Sequence, residues 1–156
     1  MKIHTLLTEE MIILKLLSQD RDGVLSEMVK FLKEKNKIRK DKELYEKLIQ
    51  REKLGSTAIG EGMAIPHCKL KEVEAPLVAL AISRQGVEFG APDRRPTQVF
   101  FLVISSPENP GVSLQILAAI AHLIRKSGSL LKKLMGAKNT RRALEIIRNE
   151  EEKIGE

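Results

Sequence analysis

The chain has 156 residues, 27 of them Lys or Arg against 21 Asp or Glu, for a formal charge of +6, with 42% hydrophobic and 31% charged residues. That balance excludes an intrinsically disordered chain, and the length suits one folded domain over residues 1–156 and is too short for two. The single cysteine, Cys68, excludes an intrachain disulfide and any multi-cysteine zinc or iron–sulfur site, and it points to a reducing compartment, so a cytoplasmic location is expected.

The first 17 residues, MKIHTLLTEEMIILKLL, are broken by Glu9, Glu10 and Lys15 and lead to no small-residue cleavage site, so no export signal is expected. Within them, residues 11–17 (MIILKLL) form an apolar run that reads as a buried strand. Asp20 or Asp22 then caps a helix in which Val24, Leu25, Met28, Val29 and Leu32 recur at helical spacing, ending near Asn36. A second amphipathic helix sets Leu44, Tyr45, Leu48 and Ile49 on one stripe and stops before Gly55. Residues 55–69 read as a glycine-rich loop followed by a strand. Residues 77–82 and 97–104 read as further strands, the second continuous enough to be buried on both faces, with the turn-rich segment 86–93 between them. A buried helix runs from Pro110 through Ile124, and shorter helices over 130–135 and 140–148 close the chain. The order strand, two helices, three strands, three helices predicts a single-domain α/β or α+β fold, a sheet flanked by helices. The longest apolar runs, residues 99–104 and 116–121, are far short of the roughly 20 residues that a membrane span needs, so no membrane insertion is expected.

The glycine-rich stretch fails both common phosphate-binding templates. Gly55 and Gly60 have the spacing of G-x-x-x-x-G-K-[ST], but Glu61 and Gly62 stand where Lys and Ser or Thr are required. Gly60 and Gly62 begin G-x-G-x-x-G, but Ile65 replaces the third glycine and a strand follows instead of a helix.

Of the three histidines, His4 lies in an N-terminus expected to fray, and His122 sits in a buried-type helix beside Arg125. His67 follows Pro66, whose fixed φ and missing N–H stiffen the approach, and it stands at a strand end beside a glycine-rich loop. On these features alone a surface histidine satisfied by water stays as an alternative. The neighbouring groups would suit a phosphorylated imidazole: a neutral ring nitrogen is nucleophilic, Arg51 offers a planar cationic fork, and Ser56, Thr57 and loop N–H groups offer donors. The alternatives are a surface ion pair of Arg51 with Glu46, Glu52 or another helix charge, and turn capping by Ser56 and Thr57. The inventory requires neither a metal nor a cofactor.

Residues 51–69, REKLGSTAIGEGMAIPHCK, resemble the phosphorylation motif of the fructose/mannitol/nitrogen-type enzyme IIA (EIIA type-2) of the phosphoenolpyruvate-dependent phosphotransferase system. The spacing from Glu52 to Cys68, ending in Ala64-Ile65-Pro66-His67, meets the family pattern, and residues 86–93 with strand 99–104 resemble a second landmark. The resemblance implies a mixed β-sheet flanked by helices and a phosphotransferase component with His67 as phosphoryl acceptor. It implies Arg51 steadying the phosphate, Thr57 as a loop residue near it, and an HPr-type donor. The acceptor it implies is a IIB component, or, for the nitrogen type, a partner regulated by phosphorylation state. Many family members carry a second active-site histidine near the start of the long helix, and here that position is Ser113, a hydrogen-bond donor without charge. His122 is nine residues further on, two and a half turns away on the opposite face. HPr-binding surfaces in this family tend to be apolar with acidic character, so the basic clusters at 37–42, 132–133 and 141–142 are expected to be solvated faces away from His67. Charge alone is weak evidence for nucleic acid, and with no Trp, one Tyr and four Phe the chain lacks stacking platforms, so no nucleic-acid partner is expected.

Overall fold

Local signals start and stop the first two helices. Asp20 accepts from the Gly23 N–H at 2.7 Å and caps α1, Arg21–Glu34, whose Val24, Leu25, Met28, Val29 and Leu32 are buried. The second helix, α2, Asp41–Leu54, buries Leu44 and Leu48 and ends at Gly55, where φ is +153°, a backbone angle that L side chains rarely adopt. The computed structural model describes residues 1–155.

Between the helices and the C-terminal half lies a mixed sheet of six strands: β1 Ile12–Ile13, β2 Ala58–Gly60, β3 Met63–Ala64, β4 His67–Lys69, β5 Leu77–Val87 and β6 Thr97–Ser105. The order is β1-β5-β6-β3-β2, with β4 also on β6; β5 runs antiparallel to β6, while β3 and β4 run parallel to it. β3 and β4 keep one register against β6, Met63 opposite Val99 and His67 opposite Val103. They are one extended segment interrupted at Ile65 and Pro66, where proline has no N–H to give to the ladder. Three further helices complete the chain: α3 Pro110–Lys126, α4 Leu130–Met135 and α5 Thr140–Ile154. Val99, Phe100, Phe101, Val103 and Ile104 of β6 are each 0% exposed, so this strand is the centre of the core, as its unbroken apolar text predicts.

Several expectations need correction. The strand over 11–17 shrinks to Ile12–Ile13, because Met11 closes a 3-10 turn and the run buries Leu16 without extending the ladder. The segment 55–69 holds three short strands, since Gly60, Glu61 and Gly62 all take positive φ and reverse the chain into a hairpin. At Gly62 the positive φ favours glycine, and a Cβ would also meet the end of the Leu131 side chain at 2.8 Å and make it shift. Third, the N-terminus is docked: Glu151 of α5 accepts from the Ile3 and His4 N–H groups at 2.6 and 2.8 Å and pairs with His4 Nδ1 at 2.7 Å. The last helix also runs on to Ile154, past the expected end at residue 148.

Candidate functional site

His67 opens β4 beside the last residues of β6, at the end of the sheet from which the chain leaves for α3. Its ring is half-buried and held on both nitrogens. Nδ1 lies 2.7 Å from the Ile65 carbonyl, which can only accept, so Nδ1 carries the proton. Nε2 is then the lone-pair nitrogen, and Arg51 Nε–H donates to it over a long 3.4 Å. Burial pulls the imidazole below its ordinary value of 6.5; the Ile65 carbonyl opposes this, and the Arg51 charge reinforces it. The ring is therefore neutral near pH 7, with one unprotonated nitrogen whose lone pair, held only by the long Arg51 contact, can act as a nucleophile.

Arg51 is placed by the end of α2. Its Nη1 donates to the Gly55 carbonyl at 2.8 Å, so the residue that breaks the helix also fixes the guanidinium. Neither Glu46 nor Glu52 takes it as a partner. Glu52 instead is buried and turns to the loop, where it accepts from the N–H of Thr57 at 2.9 Å and from its hydroxyl. The hydroxyl proton of Thr57 is thus committed to Glu52. Ser56 caps the turn, donating to the Phe89 carbonyl and accepting from the Ala58 N–H at 3.0 Å. Sequence reasoning offers Glu52 as an ion-pair partner for Arg51 and as the acidic residue that opens the family pattern, with no role assigned; a carboxylate five residues before Thr57, across a helix-stopping glycine, was the available sign of a loop clamp.

Ser113 is buried in the first turns of α3, and no hydrogen bond joins it to His67 or Arg51 among the described residues. His122 lies elsewhere, lining a small cavity with Lys2 and Glu151. Cys68 is the neighbour of His67, but burial pushes its thiol up to about 12, which removes thiolate reactivity at neutral pH. A cleft of about 740 Å³ opens beside the loop, with four carboxylates, Asp20, Asp22, Glu52 and Glu88, and one cation, Arg21, in its lining. Leu54, at the end of α2, is 86% exposed.

The basic clusters stand away from this site. Lys40 is eleven residues from Arg51 on one helix, about 16 Å along its axis. Lys132 and Lys133 belong to α4, whose Leu131 packs at Gly62; β3 lies four residues of register, roughly 13 Å, from His67. Arg141 and Arg142 open α5 directly after it. Among the described residues no helix is long and apolar enough to cross a membrane.

Comparison with known proteins shows the family and the fold. Residues 5–150 fit the family described as phosphoenolpyruvate-dependent sugar phosphotransferase system, EIIA 2. The fructose-specific EIIABC component of Bacillus subtilis (strain 168) is 31% identical over 147 residues, 94% of this chain but 23% of that protein, so the chain spans only a fraction of that relative's length. The nitrogen regulatory protein of Bradyrhizobium diazoefficiens is 35% identical over 108 residues, 69% of each chain. The crystal structure of nitrogen regulatory protein IIA-Ntr from Neisseria meningitidis superimposes with a TM-score of 0.84 at 27% identity, covering 93% of this chain and 98% of that one. IIA mannitol from Escherichia coli shares the fold, with a TM-score of 0.76 at 19% identity over 90% of this chain and 97% of that one. With nearly the whole chain inside the match, this protein belongs to the EIIA 2 family of the phosphoenolpyruvate-dependent sugar phosphotransferase system.

Proposed function

We propose that the whole chain is one EIIA type-2 domain that takes a phosphoryl group from an HPr-type carrier onto His67 Nε2 and passes it to a IIB component. The observation that carries this reading is the imidazole itself: Nδ1–H is held by the Ile65 carbonyl, and Nε2 faces the Arg51 guanidinium. In the transfer, the Nε2 lone pair attacks phosphorus, the P–N bond of the donor breaks, and its electron pair returns to the donor's imidazole nitrogen. Arg51 balances charge on the equatorial oxygens. Ser113 serves as an uncharged donor to a phosphoryl oxygen, and Thr57 acts by holding the loop that seats Arg51. No metal or cofactor enters the step. The acidic cleft and exposed Leu54 beside the loop suit a basic, partly apolar donor surface. Cytoplasmic location accords with this role.

Incubation with phosphoenolpyruvate, the general phosphotransferase enzyme and HPr is expected to place an acid-labile, alkali-stable phosphoryl group on the protein. The label is expected to vanish in His67→Ala; normal labelling of that variant overturns the assignment. A second reading is favoured by the likeness to nitrogen regulatory proteins, 35% identity in sequence and a TM-score of 0.84 in structure. In it, the two phosphorylation states bias a bound partner, and label stays on His67 when IIB is added instead of moving to it.

A further inference from the structure

Glu52 is 5% exposed, and both its carboxylate oxygens are taken by a single residue, Thr57. Burying a carboxylate is costly, and a solvated turn would not need it. The main-chain bonds of Thr57 supply the reason. Its carbonyl accepts from the Ile65 N–H at 3.0 Å, and the Ile65 carbonyl accepts from His67 Nδ1–H at 2.7 Å. Beside Glu52, Arg51 runs a second arm: Nη1 to the Gly55 carbonyl and Nε to His67 Nε2. Two consecutive residues of α2 therefore reach opposite nitrogens of one ring, Arg51 directly and Glu52 through the main chain of Thr57 and Ile65.

The consequence lies in the tautomer. Free histidine prefers its proton on Nε2, whereas this site needs Nε2 bare. The Ile65 carbonyl selects the Nδ1–H form only while it stays in position, and its position depends on the strand that Thr57 anchors. Because the links belong to different peptide groups, Glu52 acts by placement and not by passing charge along the chain. We propose that Glu52 is a positioning residue for His67, clamping Thr57 so that the Ile65 carbonyl holds the imidazole in the Nδ1–H tautomer and leaves Nε2 as the phosphoryl acceptor. The inference rests on the reading of His67 as that acceptor, but its first readout does not need phosphorylation.

Long-range proton–nitrogen NMR correlation of histidine-labelled protein, at about pH 8 where the His67 ring is neutral, reports its tautomer. The unmodified protein is expected to show His67 as Nδ1–H. Glu52→Ala is expected to move it toward Nε2–H and to slow phosphoryl acceptance on the order of tenfold. Glu52→Gln keeps an oxygen for the Thr57 N–H and offers an amide to its hydroxyl, so it is expected to restore both readouts. A folded Glu52→Ala that retains the Nδ1–H form overturns the proposal, as does a Glu52→Gln that behaves like Glu52→Ala. If Glu52→Ala fails to fold by circular dichroism, Thr57→Val decides: it loses the hydroxyl bond and keeps the N–H bond. A partial shift in the same direction supports the proposal, and an unchanged tautomer overturns it. Failure to label with normal Nδ1–H NMR behaviour would count against the acceptor reading instead.

Discussion

At the scale of the residue, the proposed chemistry turns on a histidine that stays neutral. Burial first, and then the Arg51 charge, hold the His67 imidazole below 6.5, while the Ile65 carbonyl resists them. An NMR titration of the ring is therefore expected to give a midpoint below 6.5, with phosphoryl acceptance level as pH falls toward about 6.5 and declining only under it. A midpoint at or above that value contradicts the geometry. Stability moves with the same proton: the unfolded chain takes it first, so stability present above about 6.5 is lost as pH falls from there through the folded value. The residue type and its neighbours Pro66 and Arg51 were legible in the sequence. Which nitrogen carries the proton was not, because it depends on a carbonyl aimed by the hairpin.

At the scale of the element, buried carboxylates tie the last helix to the rest. Glu150 of α5 pairs with Lys133 of α4 at 2.7 Å, accepts from the Ser127 hydroxyl at the end of α3 at 2.6 Å, and meets Lys153 at 3.2 Å. The Lys133 bond, then Ser127, hold its carboxyl down to about 2. Glu150→Gln is expected to cost about 1–2 kcal/mol at neutral pH, measured by denaturant unfolding. The native carboxylate keeps its contribution above the unfolded value of 4.5 and loses it as pH falls toward about 2, so the two proteins should converge in acid. Equal stability at neutral pH would mean that this junction does not hold α5. Helical spacing located α5, but nothing local shows that Glu150 and Glu151 of a charged run are buried: their partners, Ser127, Lys133, Ile3 and His4, are remote in the chain.

For the molecule as a whole, the basic clusters of the sequence stand away from His67, although Arg51 and Lys47 act electrostatically on the site. The basic ends of α4 and α5 belong to the end of the sheet where Gly62 packs on Leu131, and acidic side chains line the cleft nearer the site. The double variant Arg141→Glu, Arg142→Glu is therefore expected to accept a phosphoryl group from HPr within about twofold of the unaltered rate, since a charge on a remote face steers docking weakly at physiological salt. A large change in the rate of labelling would show that the donor reaches that face.

The amino-acid sequence by itself determined the elements whose causes are local: a cap at Asp20 or Asp22, the Gly55 stop, the Pro110 start, and the uninterrupted apolar text of residues 99–104 that had to be core. It also carried the motif over residues 51–69, whose resemblance to the family's phosphorylation motif implied a reactive His67 steadied by Arg51. Only the tertiary structure decided what those residues do for one another. It divided 58–69 into three strands, trimmed β1 to two residues, turned Glu52 inward to Thr57, and brought the Ile65 carbonyl to His67 Nδ1. Caps, helix stops and apolar runs act between neighbours and can be read in order. Burial of a carboxylate and the proton position on an imidazole depend on atoms that meet only after the sheet has formed.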